Sequence, residues 1–179
     1  MNPHPNPPAP GGPAPLVHAL IETLRQERAA TDALHDAFTV QLDALREGTP
    51  ARQHDGADAA AEALDMLGRL RTVRDRQTRL LGRVLRIDGD LDALAAVLAA
   101  GDATASLGAR LRTAADAVRT GAARTRRHAD ALDFALRHAM SLGRGLIQAM
   151  RPPEAPRTYD ATGRAARPAS ARPLVNHVG

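Results

Sequence analysis

The chain is predicted to be all-α: an antiparallel bundle of three long helices with coiled-coil-like packing, set between disordered N- and C-terminal tails. Three observations predict it. Apolar residues recur every seven positions through three long stretches that contain no proline, the pattern of helices that meet along a narrow seam. The chain is rich in Ala, Leu and Arg but has only Phe38, Phe134 and Tyr159 as aromatics, too little bulk for a deep globular core. Prolines crowd the ends, with seven in residues 1–15 and five in residues 151–179. The expected organisation is a Pro-rich arm at 1–15, a helical bundle at 16–151 and a C-terminal tail at 152–179.

The arm contains Pro3, Pro5, Pro7, Pro8, Pro10, Pro13 and Pro15. Each removes a backbone donor and pushes its predecessor out of helical space. The first helix is expected over 16–47. Val17, Leu24, Thr31, Phe38 and Leu45 repeat by seven, with Leu20, Ile21, Leu34 and Leu42 beside them. Gly48 is a fitting residue just past its end, and a polar loop should run to about Gly56.

The second helix is expected over 57–87, on a seam of Met66, Val73, Leu80 and Ile87 flanked by Ala63, Leu70 and Val84. Its other face carries Arg69, Arg76, Arg79, Arg83 and Arg86. Asp88-Gly89-Asp90 breaks it, and Asp90 suits the N-cap of a short helix over 91–100, ended by Gly101. The third long helix is expected over 103–150. Leu111, Val118, Thr125, Leu132, Ala139 and Leu146 repeat by seven, with Ala115, Ala122, Ala129, Leu136, Gly143 and Met150 four residues later. Gly121 and the Gly143/Gly145 pair each weaken this helix by about 1 kcal/mol. Arg151-Pro152-Pro153 ends it.

Composition excludes several classes of function. With no cysteine, there is no disulfide, thiolate nucleophile or cysteine metal site. No stretch approaches the ~20 apolar residues of a membrane span, and residues 1–15 lack the basic and apolar parts of a signal peptide; a cytoplasmic protein is expected. The 24 basic residues are all arginine, yet net charge is only +4. Arginines interleaved with acids, without aromatic platforms, do not make a nucleic-acid interface; Arg124-Arg126-Arg127 reads as a solvated helix face. By segment, 16–47 holds three arginines against six acids, whereas 102–150 holds eight against four. The C-terminal half should therefore attract acidic surfaces.

No catalytic chemistry emerges. None of the histidines pairs with another at the i+3 or i+4 spacing of helical metal ligands. Asp88, Asp90 and Asp92 open like a calcium loop, but Ala93 and Ala99 stand where its glycine and closing glutamate belong. The serines Ser106, Ser141 and Ser170 lack a local base or a nucleophile elbow, and there is no phosphate-binding glycine loop. The chain reads as a non-enzyme without cofactor or metal, working by gripping a partner. A partner helix could lie along the third long helix, against Leu132, Leu136, Met140, Ile147 and Met150, with methionine adapting to varied surfaces. Phe134 stands off this seam, as either a second core contact or an exposed anchor.

The tail holds one informative segment, Thr158-Tyr159-Asp160-Ala161-Thr162-Gly163-Arg164. A single tyrosine offers apolar area and a hydroxyl together, and Gly163 permits a tight turn. This segment resembles the C-terminal Tyr–x–x–x–Gly element of the FlgN-type flagellar export chaperones. The order of features is similar too: Leu20-Ile21, Leu24 and Glu27 in the first helix, Leu70-Arg71-Thr72-Val73-Arg74 in the second, and a third helix ending just before the tyrosine. Two features depart from the family: Arg127 to Asp133 has no asparagine pair, and the Pro-rich arm is unusual.

The resemblance implies a cytoplasmic type III export chaperone. It would bind the C-terminal helices of hook–filament junction proteins, block their premature assembly and deliver them to the export gate. It assigns docking on the gate's cytoplasmic domain to Tyr159, with Asp160 and Gly163 beside it; the cargo contacts would then be the residues read from the third helix itself, Leu132, Leu136, Met140, Ile147 and Met150, with Phe134 if it is exposed. The chain itself would be a monomer or weak homo-oligomer. The alternative reading is a structural coiled-coil adaptor that self-associates through its heptads.

Overall fold

Four helices account for nearly all of residues 12–150, the part of the chain that a computed structural model describes. They are α1 (Ala14–Glu47), α2 (Pro50–Leu85), α3 (Leu91–Ala100) and α4 (Ala105–Met150). There is no strand among the described residues. The all-α expectation holds, with the short α3 as a fourth helix beside the three long ones. The chain divides into two units, Met1–Arg137 and His138–Gly179. The first holds α1, α2, α3 and α4 as far as Arg137; the described part of the second is the rest of α4. Most of the Pro-rich arm and the whole C-terminal tail, including Tyr159, Asp160 and Gly163, lie outside the described residues.

Local chemistry sets the helix ends. Pro13 stands at the N-cap of α1 and Pro15 falls in its first turn, where a missing N–H removes no helical hydrogen bond. Gly48 ends α1 at φ 66°, ψ 37°, with its N–H donating to the Ala44 carbonyl. This left-handed conformation carries little steric cost only for glycine. Pro50 then opens α2 seven residues before the expected start at 57, because its fixed φ already suits a first helical position. The expected loop is thus helical. Gly56 lies inside α2 and is buried, with the Gln41 amide donating to its carbonyl at 3.0 Å. The missing side chain, read as a break, is where α1 comes close. Asp90 caps α3 as expected, its Oδ1 accepting from the Asp92 and Ala93 N–H groups.

Contacts fix the helix directions within the first unit. Gln41 meets Gly56, while Glu27, earlier in α1, meets Arg74, later in α2. The two run antiparallel. Arg28 meets Ala117 and Asp32 meets Arg124, so α4 runs parallel to α1. This is the up-down-up order of a three-rod bundle, with α3 making the second return.

Two apolar clusters result. The larger joins Val17, Leu20, Ile21 and Leu24 of α1 to Leu81 of α2, Leu94, Ala95 and Leu98 of α3, and Leu107, Leu111 and Ala115 of α4. The smaller joins Ala30, Leu34 and Ala37 of α1 to Ala60, Ala63, Leu67 and Leu70 of α2.

The α1 seam follows the expected heptad through Leu34. Beyond it the buried residues are Ala37, Gln41 and Ala44, while Phe38, Leu42 and Leu45 are half-buried at the flanks. Small residues occupy this stretch because α2 approaches there at Gly56 and Ala60.

The α2 seam differs from expectation by one residue. Met66, Val73 and Leu80 are exposed, and the inward stripe is Ala60, Ala63, Leu67, Leu70, Arg74, Gln77 and Leu81. Two of its positions are polar, so a count of apolar heptads selects the neighbouring stripe. In α4 the expected seam holds at Leu111, Ala115, Thr125 and Leu132. Ala139 and Leu146 are exposed instead.

Candidate partner-binding surface

Between the two apolar clusters, the seam positions of the bundle are polar. Glu27 lies at a heptad position of α1 and is 2% exposed. Nη1 of Arg74 donates to both of its oxygens at 2.7 and 3.0 Å, and Nε of Arg71 stands 3.7 Å away. These are the residues of the two segments on which the family resemblance rested, and the fold joins them.

At the next residue of α1, Nε of Arg28 donates to Asp32 at 2.8 Å, while its Nη1 donates to the Ala117 carbonyl of α4 at 2.7 Å. Its guanidinium lies against Gly121, where a side chain would collide with it. Arg124 of α4 also donates to Asp32, at 2.5 Å, and the Thr125 hydroxyl donates to the Thr31 carbonyl. Arg124 is thereby part of the α1–α4 joint rather than a freely solvated cation.

His35 of α1 and His128 of α4 complete this joint, edge to face with ring centroids 4.1 Å apart. They are 93 residues apart in the chain, so local spacing gave no sign of the pair. Nδ1 of His35 is buried without a hydrogen-bond partner. Burial lowers the His35 pKa from its ordinary 6.5, and His128 and Arg124 lower it further against the pull of Asp36 and Asp32.

The folded chain therefore favours neutral His35, and the unfolded chain binds more protons as pH falls through the 6.5 region. Stability is fully present above that value and falls below it. A thermal melt series from pH 7.5 to 5.5 should show this loss, and His35→Phe should flatten the slope. An unchanged slope in that variant would assign the loss to other groups.

The α4 segment His138–Met150 has a different character. Met140, Leu142, Leu146, Ile147 and Met150 are all exposed, the last two at 71% and 81%. No residue of this segment is buried, and its one formal charge is Arg144. By helical periodicity Leu142, Leu146 and Met150 follow one another at four-residue steps, and Met140 and Ile147 lie beside them, so the five form one broad apolar face. A broad apolar face left uncovered, with almost no charge around it, marks a segment that is to be enclosed.

Of the residues expected to grip a partner, Phe134, Met140, Ile147 and Met150 are exposed. Phe134, at 74% exposure, is not a core residue. Leu136 is half-buried, and Leu132 is buried at 6% exposure, so it belongs to the bundle interior. The heptad repeat passes unbroken from Leu132 to Leu146, and sequence periodicity cannot separate a residue covered by its own chain from one left open. Leu142 was missed because it lies at the edge of the seam; an apolar face wider than the heptad stripe, with almost no charge, was the available signal.

Among the described residues no cluster of acids and histidines is suited to hold a metal ion, and no helix is long and apolar enough to cross a membrane. The family model described as FlgN protein matches residues 16–167. No curated protein and no solved structure matches the chain.

Proposed function

The chain belongs to the FlgN protein family of flagellar export chaperones, and from that premise we propose that it holds the C-terminal helices of hook–filament junction proteins in the cytoplasm and delivers them to the export gate. The observation that carries this reading is the exposed apolar segment of α4. Each large aliphatic side chain covered by a partner contributes about 1.5–3 kcal/mol, from which the costs of association and ordering are subtracted. Several such side chains on one broad face suit a cargo helix laid along α4. Cargo helices occupied in this way are withheld from one another, which is how premature assembly is blocked.

Met140, Leu142, Leu146, Ile147 and Met150 supply the cargo-facing side, with Leu136 preceding them on it and Phe134 as an anchor off it. Gly143 and Gly145 lower helix propensity in the same segment and let it adjust to its cargo. The gate-docking role falls on Tyr159, Asp160 and Gly163. They lie outside the described residues but within the span that the family model matches.

The test is co-expression with a junction protein, followed by co-purification and a motility assay. The Ile147→Asp/Met150→Asp double variant should fold normally and lose at least about 100-fold in cargo affinity, equivalent to ~2.7 kcal/mol. Tyr159→Ala should keep cargo and lose delivery. Undiminished cargo binding in the first variant would remove α4 as the grip, and normal motility in the second would remove the docking role.

A further inference from the structure

The α2 stripe that misses the core has a pattern of its own. Met66, Val73 and Leu80 repeat every seven residues and are 37–45% exposed, and Val84 continues the line. Arg69, Arg76 and Arg83 repeat at the same interval three residues further on. On a helix this places a row of guanidinium groups beside a row of apolar side chains. Arg69 pairs with Asp65 at 3.0 Å at the surface, whereas Arg76 and Arg83 have no carboxylate partner among the described residues. Over 66–85 the helix carries six arginines against the single Asp75. Of these, Arg74 and Arg71 are directed to Glu27.

We infer that this face of α2 is a second docking site, for an amphipathic helix of another protein that carries carboxylates along the edge of its apolar stripe. The spacing specifies a helix: a period of seven over about 26 Å of axis presents the regular row that coiled-coil side chains interdigitate with. The charge specifies the edge of that helix, because arginine holds carboxylates in two-pronged pairs. An apolar row beside the charges is what a nucleic-acid backbone would not use. The site is on a different helix from the α4 segment and does not depend on the cargo reading.

The probe is a synthetic peptide of about four heptads, with leucine and isoleucine in its seam and glutamate at its flanks. A twin peptide carries lysine in place of each glutamate. Binding of both to the full chain is followed by fluorescence anisotropy at ~50 and ~300 mM salt. The acidic peptide should bind at least about tenfold more tightly than its twin at the lower salt, with the preference shrinking at the higher.

The triple variant Arg69→Glu/Arg76→Glu/Arg83→Glu should invert the preference. Val73→Asp should weaken both peptides. Neither change should lower the melting temperature appreciably, since these side chains face solvent. Ile147→Asp should leave peptide binding unchanged; loss of binding in that variant would place the peptide on α4 and overturn the inference. Equal affinity for the twins, or an uninverted preference in the triple variant, would also overturn it. So would a homodimer in light scattering that Val73→Asp disperses, which would make a second copy the occupant. Tighter, Arg-dependent binding of a single-stranded oligonucleotide would replace the acidic helix with nucleic acid.

Discussion

Arg74→Leu is expected to destabilise the bundle by about 3 kcal/mol, a large fraction of the total for a domain of this size. The reason is the asymmetry of the Glu27–Arg74 pair. The Glu27 side chain is 2% exposed and Arg74 is 24% exposed. Without Arg74, a buried carboxylate keeps only Arg71, at 3.7 Å, and leaving a buried charge without compensation is the costly event.

Glu27→Leu should cost less, because the Arg74 guanidinium already reaches solvent and can turn outward. The double variant Glu27→Leu/Arg74→Leu should recover most of the stability, since an apolar pair removes both desolvation costs. Urea denaturation of the three variants measures this. Equal losses in the two single variants would show that packing, rather than stranded charge, sets the cost. With both positions apolar, the α1–α2 seam between the clusters would also lose the charge pairing that fixes its register. A looser helix register, visible as lower protection from hydrogen exchange, is the expected consequence.

Gly108→Ala is the second large effect, expected to cost about 2 kcal/mol although alanine is the better helix former by about 1 kcal/mol. A Cβ there would stand 2.5 Å from the Ala99 nitrogen and 2.7 Å from the Ala95 carbonyl oxygen. Both are backbone atoms of α3, so no rotamer change relieves the contact and α3 must move away from α4. That movement opens the cluster around Leu94, Leu98 and Leu111. Gly68→Ala is the matched control. Its Cβ would meet nothing within 4 Å, so the propensity gain should appear as a net stabilisation of about 1 kcal/mol. Two Gly→Ala changes of opposite sign in thermal melts would support the close α3–α4 approach. A gain at both positions would refute it.

Much of the architecture was legible because helices announce themselves locally. Gly48, the Asp90 cap, Gly101 and the prolines act on their neighbours through backbone geometry, and the ends they set agree with expectation to within a few residues. The exception is the start of α2, where Pro50 opened a helix instead of extending the loop. The heptad seams were legible in α1 as far as Leu34 and in α4 at Leu111, Ala115, Thr125 and Leu132. The reading failed in α2 because Arg74 and Gln77 occupy inward positions and Met66, Val73 and Leu80 do not. Arg74 is inward because Glu27 of another helix meets it, which no count along α2 can register.

Composition, helix lengths and cap residues alone determined an all-helical chain whose long rods pack along narrow seams, with α4 apolar to its last turn. These are properties of a few consecutive residues and depend on nothing distant. Only the tertiary structure decided which parts of the apolar stripes the chain covers itself, placing Leu132 inside and leaving Ile147 and Met150 open. It alone joined Glu27 to Arg74 and His35 to His128. Burial and charge pairing depend on which helices meet and at what register, and those contacts link residues tens of positions apart.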